Sequence, residues 1–296
     1  RADGDDVILG GSGVDHLYGQ RGDNLLMGGL GDDLVHGGTG DDILTGGVFD
    51  IIDRSGQQIA AEQLIGGFGT ALTVQLAEVD DGADTLLTGR GNNLALGGAG
   101  SDQVTGGASA SLLIGDFAQV DVTSSGAIER MRAAAVDSDL QGADTLVGGM
   151  GRDILVGGGS ADGQADTLSD LHGSNLLIGD HADVDGIRIL DAVTRVDSVA
   201  SAQGNADRIE AGGGHDILLG GEAGDDISAA GGNNIVLGDS ASLHFAGGQW
   251  QQLESLANTA GGADSIQTGN GHDIIIAGER GDTVRGAGGD DIITGD

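Results

Sequence analysis

A chain of 296 residues with a formal net charge of −35, no Pro, no Cys and 2% aromatic residues can build neither a conventional aromatic core nor a disulfide framework. The acidic excess repels phosphate, which argues against nucleic acid and anionic membrane surfaces as partners and leaves cations. No apolar run approaches the ~20 residues of a spanning helix, so no membrane insertion is expected, and disorder is opposed by the 38% of hydrophobic residues, which recur in fixed register.

The first block, residues 1–47, is a run of nonapeptides: GDDVILGGS, GVDHLYGQR, GDNLLMGGL, GDDLVHGGT and GDDILTGGV. Their shared pattern is G-G-x-G-x-D-x-U-x, with U a large aliphatic (Ile8, Leu17, Leu26, Val35, Leu44) and Asp6, Asp15, Asn24, Asp33 and Asp42 at the acidic position. After an insert at 48–81 the register returns at 82–116 with Asp84, Asn93 and Asp102, and with Ser111 where another acid would fall. The insert at 117–141 contains AIERMRAAA, which reads equally as a strand of a hairpin or as a short helix. Block 142–180 carries Asp144, Asp153 and, after a four-residue slip, Asp166 and Asn175. An insert at 181–203 precedes block 204–239, with Asp207, Asp216, Asp225 or Asp226, and Asn234. A last insert at 240–261 leads to block 262–296, with Asp264, Asp273, Asp282 and Asp291. Blocks close on LLIGD, LLIGD, IVLGD and IITGD, ending at Asp116, Asp180, Asp239 and Asp296. A unit of roughly 60 residues is thus superimposed on the nonapeptide. Alternating stretches around AGG or SSG make the inserts hairpin-like, and the blocks are expected to form one continuous rod.

The residue types follow from the chemistry. Gly reaches positive φ without a Cβ clash, so GGxG can wrap a tight turn with its carbonyls inward, and Asp closes that turn with a hard carboxylate. Calcium takes six to eight oxygens from carboxylates and backbone carbonyls. The x-U-x that follows is a short strand with one aliphatic side chain inward. If one nonapeptide makes half a coil, residues 18 apart stack: Asp6, Asn24 and Asp42 in one column, Asp15 and Asp33 in the other. Carboxylates ~5 Å apart repel by about 3 kcal/mol at an effective dielectric of ~20, so multiple Ca2+ ions between them would be part of the folding free energy.

GGSGVDHLY, GGLGDDLVH and GGTGDDILT resemble the repeats-in-toxin (RTX) nonapeptide. The resemblance implies an all-β fold, a right-handed parallel β-roll or β-solenoid, with calcium shared between Asp residues of successive coils on one side. Carried over, Asp15 pairs with Asp33, Asp84 with Asp102, Asp264 with Asp282, Asp273 with Asp291, and Asp207 with Asp225 or Asp226. Asn24, Asn93, Asn175 and Asn234 bring no charge, so weaker sites are expected there. Three of the five non-acidic positions, Ser111, Asn175 and Asn234, sit in the last repeat of a block, beside an insert, which suggests that they mark the end of each metal column. Blocks alternating with inserts are similar to those of giant bacterial adhesins and surface-matrix proteins.

No catalytic constellation stands out. His16, His36, His172, His181, His215, His244 and His272 lack metal or catalytic spacing and read as solvated turn or insert residues. There is no G-x-S-x-G elbow, and a carbohydrate platform is not expected of a single Trp250 or Tyr18. The expected function is a non-enzymatic, calcium-stiffened structural or adhesive module, secreted by a type I route to the extracellular space or cell surface, with the signal outside this chain. Two alternatives are the non-catalytic tail of a secreted protease, lipase or epimerase, and an ice-binding array. The latter is disfavoured by mixed outward positions (Tyr18, Met27, His36, Thr45). Beyond calcium, the expected partners are the chain itself, head-to-tail or laterally, or a host or matrix surface. Contact would run through a row of projecting inserts bearing Phe49, Phe68, Phe117, Phe245, Trp250, Arg130, Arg132, Arg188 and Arg195.

Overall fold

The computed structural model describes residues 4–53, 55, 57–59, 72–76, 82–124, 127–133, 140–160, 163–187, 193–199, 204–256 and 261–295. Phe68, Arg188 and Asp296 lie outside the described residues. All regular elements among them are strands.

The nonapeptides build two parallel sheets. Successive repeats alternate between them, so Leu25–Leu30 joins an 11-stranded sheet and Leu34–Thr39 a 10-stranded one. The aliphatic U residues meet between the sheets: Leu17, Leu26, Val35, Leu44, Leu86, Ala95, Val104 and Leu113 form the start of one buried core. Burying each large aliphatic contributes about 1.5–3 kcal/mol, which a roll this thin needs from every coil. The inserts do not interrupt the roll. Thr45 at the end of one block stacks on Leu96 of the next, and Leu237 on Ile276. The four-residue slip leaves the stacking intact, since Thr145 still pairs with Thr167.

The inserts do not stand out as separate projections; they form a third layer. Phe49–Asp53, Gln58–Ile59 and Leu72–Leu76 from the first insert join three hairpins, Ala118–Val122 with Ile128–Ala133, Ala182–Asp185 with Arg195–Ser198, and Ala241–Ala246 with Gln249–Ser255. These pair edge to edge in one nine-stranded antiparallel sheet: Val74 lies opposite Val120, Met131 opposite Val184, and Val196 opposite Leu243. The stretch that could have been a helix is therefore a strand over Ile128–Ala133. A hydrogen-bonding edge on either side favours it, and a bulge between Ile128 and Arg130 brings Ile128 to the same covered face as Met131.

This third sheet covers the 11-stranded one. Phe49, Ile51, Val120, Met131, Val184 and Leu243 pack on Leu25, Leu94, Leu112, Ile114 and Leu237, which flank the U residues and point away from the roll interior. Met27 and Thr45 are consequently covered, whereas Tyr18, in the 10-stranded sheet, is exposed. Phe49 and Phe117, expected as contact residues, are buried in this second core. Arg130, Arg132 and Arg195 do lie on the uncovered face of the insert sheet; Arg130 pairs with Asp185 and Arg195 with Asp197.

Candidate metal centre

Each motif Asp sits at the turn where the chain crosses from one parallel sheet to the other, and its carboxylate reaches back one coil. Asp15 N–H donates to Asp33 Oδ1 at 2.8 Å, Asp33 N–H to Asp84 Oδ1 at 2.6 Å, and Asp84 N–H to Asp102 Oδ1 at 2.7 Å. The ladder continues through Asp144, Asp166, Asp207, Asp225, Asp264 and Asp282 at 2.7–3.0 Å. Every rung on this flank is Asp. On the opposite flank the rungs are Asp6, Asn24, Asp42, Asn93, Ser111, Asp153, Asn175, Asp216, Asn234, Asp273 and Asp291.

Two expectations change. The Asn residues do not end columns, because both columns run past the inserts; they are collected on one flank. Asp226 is not a rung: it lies on the outer face of the 10-stranded sheet, 63% exposed, 3.7 Å from Arg208, while Asp225 stacks on Asp207. The other expected pairs, Asp15 with Asp33, Asp84 with Asp102, Asp264 with Asp282 and Asp273 with Asp291, are stacked neighbours.

With Oδ1 engaged, Oδ2 is left over. In Asp33, Asp144, Asp207, Asp225 and Asp264 of the all-Asp column, and in Asp42, Asp216 and Asp273 of the mixed one, it is buried and accepts no hydrogen bond. In Asp33, Asp42 and Asp225 it points toward an opening that exists because a Gly stands five residues earlier, and in Asp144, Asp207 and Asp264 because one stands just before the insert. A Cβ on Gly37 would lie 2.6 Å from Asp42 Oδ2 and 2.6 Å from the Thr88 carbonyl oxygen of the next coil. Gly28, Gly179, Gly220 and Gly238 repeat this convergence with Asp33, Asp207, Asp225 and Asp264. A carboxylate oxygen and a turn carbonyl facing one glycine-made space are the donor set of a hard divalent cation. Among the described residues no three His, Asp or Glu side chains are poised around a common point, so carbonyls would have to complete any such site.

Electrostatics point the same way. Burial pushes the Asp42 and Asp216 carboxyls up to about 6, and those of Asp207 and Asp264 to about 7. Burial, reinforced by Asp207, raises Asp225 to about 10. Asp144 and Asp166 are raised well above the ordinary range by burial and then by neighbouring carboxylates. The most strongly raised of them, Asp144, Asp166 and Asp225, stay ionised at neutral pH only with compensating positive charge.

Sequence reasoning left out a second set of acids, although their signature was visible in the repeated GD endings. Asp116, Asp180 and Asp239 replace the second Gly of GG where each later insert departs, and each carboxylate clasps two coils. Asp239 accepts the Gly262 N–H at 2.9 Å, where the insert returns, and the Glu279 N–H of the next coil. Asp180 does the same with Asn205 and Glu222, and Asp116 takes the Gly159 N–H at 2.6 Å. His181, expected in solvent, is 1% exposed beside such a clasp; its Nε2 is 2.9 Å from the Gln141 side chain and burial lowers its pKa to about 4.

A search of curated proteins gives no match. The RTX calcium-binding nonapeptide repeat, in its four-copy form, matches residues 2–35, 18–50, 79–113, 139–164, 201–236, 258–280 and 267–296. Arrays of this family are typically structural, and the proteins that carry them are typically secreted. The matched segments carry every rung of the two columns except Asp166 and Asn175, and they cover more than half of the chain: it belongs to the RTX calcium-binding nonapeptide repeat family.

Proposed function

We propose that this chain is a calcium-stiffened extracellular rod, a non-catalytic structural or adhesive segment of a larger adhesin, filament or surface matrix. The observation that carries the reading is continuity: both parallel sheets and both columns pass four inserts without a break. At ~4.8 Å per strand, eleven stacked strands extend roughly 50 Å. Multiple Ca2+ ions would lie between stacked rungs, held by the spare oxygens of Asp33, Asp144, Asp207, Asp225 and Asp264 and by facing turn carbonyls. Each ion would relieve the repulsion of the carboxylates around it, so the rod would be stiff in extracellular calcium and soft during export through a low-calcium cell interior.

The insert sheet is the surface assigned to partners, a matrix or host surface or another copy of the chain. It carries the arginines and the exposed Trp250, and weak contacts along its length could sum by multivalency. The test is to shorten residues 181–203 and 240–261 to Gly-Ser loops and measure calcium-induced folding and surface binding separately. Folding that persists with binding lost supports the reading. Full binding by the folded, shortened chain returns the contacts to the coils. Export and folding of an attached enzyme, unaffected by the shortening, would favour the alternative of a secreted-enzyme tail.

A further inference from the structure

The last hairpin overhangs the mixed flank and encloses a cleft of about 530 Å³, inside the ~300–1,000 Å³ range of small-ligand sites. One wall is aromatic. Trp250, 47% exposed, and half-buried Phe245 come from the paired strands Ala241–Ala246 and Gln249–Ser255.

The other wall is an outer ladder made by the residue preceding each rung. In the first half of the chain it is acidic: Asp23 N–H donates to Asp5 at 2.9 Å and Asp41 N–H to Asp23 at 2.8 Å. Under the hairpin its character changes to Arg152, Ser174, His215, Asn233 and His272. The rungs are held in place: His215 N–H donates to Ser174 Oγ at 3.0 Å, Asn233 N–H to His215 Nδ1 at 2.9 Å, and Asp290 N–H to His272 Nδ1 at 2.9 Å. Because Nδ1 accepts in both imidazoles, the neutral rings carry their proton on Nε2 and offer it as a donor. Arg152 makes no ion pair among the described residues, in a chain with 47 acidic side chains.

A half-exposed indole facing a row of donors that includes an arginine without a carboxylate suits a ligand with an apolar ring face, hydroxyls and one negative group. Asn233 and Ser174 both give and accept hydrogen bonds, as hydroxyl recognition requires, and Arg is the residue that grips a carboxylate in a bidentate way. The overall charge disfavours densely charged ligands such as polyphosphates, whereas a uronate chain carries one charge per ring. We propose that this cleft binds a carboxylate-bearing saccharide, its ring against Trp250 and its carboxylate toward Arg152. The inference rests on the reading that the inserts carry the contacts, and supplies their ligand class.

Trp250 is the sole tryptophan, so its fluorescence reports on the cleft alone. The calcium-saturated chain is titrated with tri-galacturonate, with neutral galactotriose and with acetate. The expected result is a blue-shifted Trp250 emission with tri-galacturonate, at least about tenfold weaker binding of the neutral sugar, and no response to acetate. By calorimetry, Arg152→Gln should weaken tri-galacturonate binding about tenfold and Trp250→Ala should abolish it, with calcium-induced folding unchanged in both. No response to tri-galacturonate, equal binding of the neutral sugar, or binding that survives both substitutions would overturn the proposal. Should the sugar fail to bind while insert shortening still abolishes surface binding, the saccharide inference falls and the adhesive reading stands. Sugar binding at Trp250 with surface binding unaffected by shortening gives the reverse.

Discussion

The two flanks of the roll share one pattern of backbone-to-side-chain hydrogen bonds and differ where the mixed flank puts Asn24, Asn93, Asn175, Asn234 or Ser111 in place of Asp. On the all-Asp flank the second carboxylate oxygen is left without a hydrogen bond in Asp33, Asp144 and Asp207. On the mixed flank the corresponding atom of Asn is an amide donor, and it is used. Asn24 Nδ2 donates to the Gly22 carbonyl at 2.8 Å and to Asp42 Oδ1 at 2.8 Å, and Asn93 Nδ2 donates to the Gly91 carbonyl at 3.0 Å. Asn175 and Asn234 reach turn carbonyls in the same way. The amide thus does internally, and without charge, what a cation must do on the other side. One flank holds itself together in part, and the other depends on what it binds.

The largest effect that would sharpen this contrast is that of pH on the calcium-free chain. Burial raises the rung carboxyls above the ordinary 3.8, to about 6 for Asp42 and about 7 for Asp207 and Asp264. The folded state therefore binds more protons than the unfolded one, and stability falls as pH rises. It is fully present below about pH 4 and is lost between about pH 4 and pH 7, at about 1.4 kcal/mol per group for each pH unit. Calcium-free chain that is unfolded at neutral pH should regain β signal on acidification, followed by circular dichroism. With calcium bound the trend reverses, because protons displace the ion.

Next in size are exchanges of chemistry between the flanks. Asp144→Asn gives the all-Asp column one self-satisfying rung: the calcium-free chain should regain β signal at a higher pH and the folded chain should bind less calcium. Asn93→Asp should do the opposite on both counts. Equal responses from the two flanks would break the comparison. Asp226→Asn, on the exposed outer face, is the control and should change stability by less than about 0.5 kcal/mol.

A smaller effect, independent of the columns, is expected at the clasps. Asp180→Ala removes the acceptor of the Asn205 and Glu222 N–H groups and should cost about 1–3 kcal/mol, read as a lower melting temperature in saturating calcium. Because Asp180 ties an insert to the roll, protease sensitivity near residues 204–206 should rise in the same variant.

The two-sheet roll and the identity of nearly all rungs were legible in the sequence, because Gly-x-Asp spacing is strictly local and each aliphatic U has one place to go. The third sheet was not, although half of its signal was there. Alternate repeats carry apolar triplets, Leu25-Leu26-Met27 and Leu112-Leu113-Ile114, where the intervening ones read His16-Leu17-Tyr18 or Gln103-Val104-Thr105. A strand apolar on both faces needs a cover on each. The cover comes from hairpins roughly 60 residues apart, whose mutual pairing no local pattern encodes. Inside the first block the two columns were read correctly, Asp6, Asn24 and Asp42 against Asp15 and Asp33, but the flank of the later rungs was hidden. The stacking interval is 18 inside a block, 22 at the slip, and 51, 42, 41 or 39 across an insert, so the gathering of Asn24, Asn93, Asn175 and Asn234 on one side was hidden by insert length.

The central claim, that cations between buried carboxylates hold the roll together, is tested most directly by circular dichroism of the whole chain at neutral pH after exhaustive chelation, followed by a calcium titration. The account predicts a largely unfolded chain that gains β structure as free calcium rises through ~10⁻⁴–10⁻³ M, the range of extracellular modules. β structure that is unchanged by chelation would contradict it.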